Sequence, residues 1–307
     1  MKDWLMKKWV VISIAIFCSI LWGSAFPVLK LSYEEMQMAA DDVMAKIVFA
    51  GMRFLMAGLI LLISMLVIKR SALKVTKRQL LFLTIFGLVQ TALQYFFFYN
   101  GLANTSGMQG AIIVSSGTFF TIIIAHFFYK DDRLNLGKTI GLVAGFTGII
   151  VANWGQEFEM TFQFTGEGYM ILAALTGAIG TIMAKELAVG IHPFALTGWQ
   201  LTIGSALMLL IGVPQMQENA ITFTPFGWGL LIYSALVSSV AFALWYSILK
   251  YYKAGVISMF KFVTPVSGAI LSAWLIPGEY LTMNIIGALV LVAVGIIAVN
   301  IHLPKRN

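Results

Sequence analysis

Charge is what this sequence has least of. Only 11% of its 307 residues are Asp, Glu, Lys or Arg, against about 25% in a soluble domain. So little polar side chain cannot cover a surface that faces water, and the implied solvent is lipid. Cysteine is nearly absent too. Cys18 stands alone, which excludes an intramolecular disulfide and a cysteine-based metal site. His126, His192 and His302 are far apart in sequence, and no metal is expected. There is no Gly-rich phosphate loop, no His-Glu-x-x-His and no nucleophile elbow. ATP-driven transport within this chain is thereby excluded, and neither an enzyme activity nor a cofactor is expected.

What the chain has instead is hydrophobicity, at 60% apolar residues and a mean hydropathy of +0.90. A bilayer core of about 30 Å takes roughly 20 helical residues to cross. Continuous apolar runs predict ten spans, at 9–29, 47–68, 79–100, 107–129, 136–154, 166–184, 193–213, 226–249, 254–276 and 282–302. Backbone groups in lipid must bond internally, so these are helices. The expected fold is an all-α integral membrane protein with no separate soluble domain. The first run has a basic lead-in (Lys2, Lys7, Lys8) but no small-residue cleavage site, and it reads as a retained helix.

The net charge of +7 would suggest nucleic acid in a soluble protein. Here the basic residues lie in short loops, where they set topology, and no nucleic-acid partner is expected. With the N-terminus inside, Lys2, Lys7, Lys8, Lys69, Arg70, Lys74, Lys77, Arg78, Lys130, Arg133, Lys138, Lys185, Lys250, Lys253, Lys305 and Arg306 are all cytoplasmic. Lys30 and Lys46 lie outside, and Arg53 and Lys261 fall within spans. Glu34, Glu35, Asp41, Asp42, Glu157, Glu159, Glu167, Glu218 and Glu279 lean outward. The asymmetry predicts both termini in the cytoplasm of a multi-pass cell-membrane protein.

The halves align without gaps at an offset of 147 from the second span onward. Arg53 falls on Gln200, Tyr99 on Tyr246, Asp132 on Glu279, Gly148 on Gly295 and Asn153 on Asn300. For the first span the offset is 155. This predicts two repeats, 1–155 and 156–307, within one membrane domain. Five spans per repeat is an odd number, so the second repeat is inverted, as in alternating-access transporters.

The motifs WGSAFPVLK at 22–30, RFLMAG at 53–58, GLVAGFTGIIVAN at 141–153, KFVTPVSG at 261–268 and GEYLT at 278–282 resemble those of the drug/metabolite transporter superfamily, in its ten-helix EamA type. The resemblance covers nearly the whole chain. It implies export of amino acids or related metabolites through a cavity framed by spans 1, 3, 4, 6, 8 and 9. Trp22 then becomes a binding candidate and Pro27 a helix kink. Two departures stand out: Gly117-Thr118 stand where span 9 has Thr264-Pro265, and Asp131-Asp132 replace the Gly-Glu ending in the first half.

Ionisable groups inside a membrane are costly, so each is a functional candidate. Arg53 and Lys261 qualify, unless their long side chains snorkel to the interface or form a structural ion pair. No carboxylate falls in a span interior, which argues against a cationic drug as cargo and removes the usual carboxylate route for proton coupling. Pro265 frees the carbonyl of Lys261 and permits a kink, where transporters place binding groups. Gln90 and Gln94 share one face of span 3, followed by Tyr99, and must meet a partner helix or a wet cavity. Ser115 and Ser116 of span 4 and Tyr246 of span 8 are similar candidates. Gly137, Gly141, Gly145 and Gly148 form a packing stripe. The function expected is secondary transport of a small neutral, zwitterionic or anionic metabolite by a monomer or homodimer in a lipid bilayer. The alternative is a membrane enzyme acting on a lipid or isoprenoid, which would want paired intramembrane Asp, Glu or His.

Overall fold

The computed structural model describes residues 7–39, 41–104, 107–152, 162–277 and 280–301. Among the described residues there are helices and no strands. In chain order they are α1 (Lys8–Glu35), α2 (Val43–Lys69), α3 (Lys77–Ala103), α4 (Gly107–Phe128), α5 (Leu136–Ala152), α6 (Phe164–Gly190), α7 (Pro193–Gly212), α8 (Pro225–Leu249), α9 (Ala254–Leu275) and α10 (Met283–Ile301). Each expected span meets one helix. Seven are long and apolar enough to cross a membrane, and α4, α5 and α10 contribute shorter apolar stretches.

Local chemistry sets the ends. Asp42 caps α2 by accepting from the Ala45 amide at 2.9 Å. Thr76 and Gln79 form a reciprocal capping box on α3, and Thr224 followed by Pro225 starts α8. α1 runs on to Glu35, past the apolar stretch, because Ser32 and Met36 are buried and Tyr33 packs edge-on against Phe49 of α2. Asn153, Trp154, Glu157, Glu159, Gly278, Glu279, His302, Lys305 and Arg306 lie outside the described residues.

The outer surface carries large apolar side chains, among them Ile63, Val67, Phe127, Val143, Leu210, Leu236 and Val290. Water would not tolerate so wide an apolar skin; lipid does. Small residues bring helix backbones together inside, as membrane bundles require.

The packing pairs are reciprocal across the repeat. A Cβ on Gly148 would meet Ala288, Leu291 and Val292, while one on Gly295 would meet Gly141, Ala144 and Gly145. These contacts interconvert when 147 is added to the first-half numbers. α2 and α7 behave likewise: Gly51 abuts Leu209, and Gly198 abuts Leu62. A contact of i with j matched by one of j with i is the mark of a two-fold relation. With five helices per unit, that relation inverts one unit against the other. The chain is a ten-helix membrane fold of two inverted repeats.

At the end of the bundle carrying the basic loops, polar bonds tie the units together. Lys138 pairs with Asp132 at 2.5 Å, and the other Asp132 oxygen accepts from the Gly255 amide at 2.8 Å, in the first turn of α9. Tyr129 donates to Glu186 of the second unit at 2.6 Å, and within that unit Lys185 donates to the carbonyls of Leu249 and Tyr252. The Tyr129 hydroxyl is pushed well above its ordinary pKa, first by burial and then by that carboxylate.

Candidate functional site

Helices α9 and α3 each break their regular winding partway along, and residues at both breaks meet α6. In α9, Pro265 has no N–H to offer the Lys261 carbonyl, and Met259–Phe262 tightens into a 3-10 turn. Ser19 of α1 donates to the Phe260 carbonyl of that turn at 2.9 Å. In α3, Leu88–Leu93 widens into a π-helical turn around Gln90. Such turns often mark functional positions.

Lys261 is half-buried. Its ammonium donates to Thr181 Oγ1 of α6 at 3.3 Å and lies 5.5 Å from the centroid of the Trp245 ring of α8. Thr181 can accept because its own O–H is committed to the Gly177 carbonyl at 2.9 Å. Among the described residues no carboxylate pairs with Lys261. Trp245 meets Trp22 of α1 edge-on at 5.1 Å, and Trp22 meets Phe242 at 5.2 Å.

The two amides arrive from α3. Gln90 Nε2 donates to Gln94 Oε1 at 2.8 Å, and both lie against the glycine face of α6. A Cβ on Gly180 would fall 1.5 Å from Gln90 Oε1, and one on Gly177 would fall 2.9 Å from Gln94 Nε2. Those two glycines admit the amides next to Thr181. Gln90 Oε1, Trp22 Nε1, Trp245 Nε1 and Thr264 Oγ1 are buried polar atoms with no hydrogen-bond partner among the described residues. Such atoms are uncommon in a finished interior. The structure therefore assembles Gln90, Gln94, Lys261 and Trp22 around residues the sequence reading passed over, Thr181 and Trp245. Thr181 follows Gly177 and Gly180 on one helical face, a pattern that reads first as packing.

Arg53 and Tyr99 gather elsewhere. Arg53 is only 3% exposed, so it does not snorkel. Its Nε donates to Ser238 Oγ of α8 at 2.8 Å, and its guanidinium lies 5.0 Å from the Phe54 ring centroid. The Tyr95 ring centroid lies 4.5 Å from that of Phe54, and the Tyr99 ring lies 6.2 Å from Tyr95. Tyr246 joins the matching place in the other repeat, donating to Gln200 Oε1 at 3.3 Å, while Gln200 Nε2 donates to Thr91 Oγ1. Ser115 is half-buried on α4, and Ser116 returns its hydroxyl to the Ile113 carbonyl of the same helix. α1 continues as helix through Pro27 and lies close to α9 where Gly23 meets Ser267 and Gly268. His126 Nδ1 accepts from the Leu134 amide at 3.0 Å, a packing role.

Comparison with known proteins agrees with this architecture. The chain is 25% identical over 292 residues to the uncharacterized transporter YoaV of Bacillus subtilis, covering 94% of this chain and 96% of that protein. It is 28% identical over 278 residues to the uncharacterized transporter YetK of the same organism, covering 86% and 79%. A probable amino-acid metabolite efflux pump of Salmonella typhimurium is 23% identical over 294 residues, with 91% of each chain covered. A crystal structure of another protein superposes with a TM-score of 0.79 at 14% identity, over 96% of this chain and 98% of that one, which shows a shared fold. The model of the EamA-like transporter family matches residues 9–154 and again 164–301. With both repeats matched, this multi-pass membrane protein belongs to the EamA-like transporter family.

Proposed function

We propose that the chain is a secondary transporter working by alternating access, that it exports an amino acid or a similar neutral, zwitterionic or anionic metabolite, and that the cargo carboxylate is held by Lys261. The repeats divide at about residues 155 and 156, and the end bearing the basic loops faces the cytoplasm, by the positive-inside bias. The observation that carries the reading is the ammonium of Lys261, next to a proline-interrupted turn, with one hydroxyl and one indole face for partners and no carboxylate among the described residues. A cation in low dielectric without a counter-charge is costly unless an anion joins it. The indole N–H groups of Trp22 and Trp245 add donors suited to a carboxylate, and Gln90 Oε1 adds an acceptor suited to a cargo N–H. The probable amino-acid metabolite efflux pump among the relatives supports the cargo class.

The test is flux in proteoliposomes against labelled amino acids, nucleobases and sugars, with Lys261→Met beside the wild type. Carboxylate-bearing solutes should move, and the variant should fold but lose them. Transport confined to solutes without a carboxylate would overturn the role given to Lys261.

A further inference from the structure

Ser19 of α1 is fully buried, and its hydroxyl lies 2.9 Å from two carbonyls, that of Ala15 in its own helix and that of Phe260 in α9. A hydroxyl has one hydrogen to give, and the Ala15 carbonyl alone would satisfy it. Ser32, on the same helix and equally buried, does that and no more, donating to the Val28 carbonyl at 2.7 Å. The reach of Ser19 to α9 is therefore additional to what a buried serine of α1 needs.

The carbonyl it reaches has a particular neighbour. The C=O of Phe260 and the N–H of Lys261 belong to one planar peptide unit, so a bond to the first sets the plane from which the Lys261 side chain departs. That plane lies in the 3-10 turn Met259–Phe262, where Pro265 withholds the usual N–H from the Lys261 carbonyl. Gly23, one turn after Ser19 on the same face, lets the two helices approach. A Cβ there would fall 2.1 Å from Ser267 Oγ and 2.9 Å from the Gly268 amide nitrogen.

The repeat isolates what this bond accompanies. The equivalent of Phe260 is Ile113, whose carbonyl takes a hydroxyl from Ser116 of its own helix. In α9 the place of Ser116 is taken by Val263, and in α6 the place of Ser19 is taken by Ala174. Lys261 itself falls on Val114. The carbonyl is thus served from within its helix where a valine follows, and from a second helix where the lysine follows.

We propose that Ser19 is a positioning residue for Lys261: by holding the Phe260 carbonyl it aims the ammonium at Thr181 and the Trp245 ring, where the cargo carboxylate meets it. This role rests on Lys261 being the partner of that carboxylate.

The experiment measures flux through full-length protein in proteoliposomes over a range of concentrations, using as probe the labelled amino acid that the wild type moves fastest. Ser19→Ala should raise the apparent KM about fivefold, the scale of one neutral hydrogen bond, with kcat and the amount of folded protein little changed. Ser32→Ala should leave KM at the wild-type value. Ser19→Cys keeps a weaker donor and should fall between, and it carries the comparison should Ser19→Ala fail to fold. Ser19→Ala combined with Lys261→Met should show the KM of Lys261→Met alone, because the two act through one contact. A raised KM in Lys261→Met with none in Ser19→Ala overturns the positioning role and leaves that of Lys261 standing. Effects that multiply in the double variant, or an equal rise in Ser32→Ala, overturn it as well, since packing would then account for them. A wild-type KM in Lys261→Met overturns both roles together.

Discussion

Arg53 bonds Ser238 at 2.8 Å, and 147 residues on, Gln200 makes the matching bond to Thr91. Each joint links the second helix of one repeat to the third helix of the other. One is charged and the other neutral, so the two should differ in cost when broken. Ser238→Ala strips a buried cation of its acceptor and should cost about 1.5–3 kcal/mol, the scale of a hydrogen bond to a charged group. Thr91→Val should cost about 1 kcal/mol, the scale of a neutral one. Unfolding of the two variants in one detergent measures both. Equal losses would show that the Arg53 charge is not held by Ser238.

Much of this was legible because lipid is an exacting solvent. Apolar runs of span length have few other structures open to them, so ten runs became ten helices. The gapless offset carried Arg53 onto Gln200, and the structure makes them equivalent in contacts as well as in number. The turn around Lys261 was legible through Pro265, whose missing N–H acts on a known carbonyl. The π-helical turn at Leu88–Leu93 was not, since no proline within it announces the change of winding. Thr181 and Trp245 stayed hidden for another reason. A threonine after two glycines and a tryptophan in an apolar helix are ordinary packing residues until a neighbouring helix supplies their partners.

Gly180 tests the arrangement of the amides. A methyl there would fall 1.5 Å from Gln90 Oε1 and 2.5 Å from its Cδ, so the side chain must swing away. Gly180→Ala should weaken transport more than Gly177→Ala, whose methyl meets only the tip of Gln94 at 2.9 Å. Adding Gln90→Ala to Gly180→Ala should relieve the clash and restore stability without restoring affinity. Wild-type transport by Gly180→Ala would remove Gln90 from the site.

Lys261→Met keeps the aliphatic stem while deleting the charge and its place over the Trp245 ring. Apparent affinity for a carboxylate cargo should fall by about 1.5–3 kcal/mol, roughly tenfold to a hundredfold or more. Lys261→Arg should recover only part, because a planar fork replaces a point charge. Unchanged affinity in Lys261→Met would leave the side chain without a role in recognition.

Orientation is testable with single cysteines. Lys74 and Gln217 are both exposed and lie in loops at opposite ends of the bundle. In intact cells, Gln217→Cys should react with an impermeant thiol reagent and Lys74→Cys should not until the membrane is opened. The reverse pattern would place the basic loops outside.

The buried pair of Asp132 and Lys138 is the joint where single and double substitutions should diverge most. Their side chains are 1% and 3% exposed. Lys138 donates to Asp132 Oδ1 at 2.5 Å and also to the carbonyls of Asp132 and Arg133, at 2.7 and 2.9 Å. Asp132 Oδ2 accepts the Gly255 amide, so the pair anchors the loop before α5 to the start of α9 in the other repeat. Asp132→Asn can keep the cap on Gly255 but leaves the Lys138 charge uncompensated. Breaking one side of a buried pair typically costs about 3–5 kcal/mol. Replacing both sides with uncharged groups of similar volume is often close to neutral. Asp132→Asn should therefore unfold far more readily than the wild type, and the double variant Asp132→Asn with Lys138→Met should recover most of the loss. The cycle of four proteins, followed by thermal unfolding in detergent, measures the coupling. If the single variant matches the wild type, solvent already screens the pair, and the bonds from the Gly255 amide and from Tyr129 to Glu186 suffice to join the two repeats at this end.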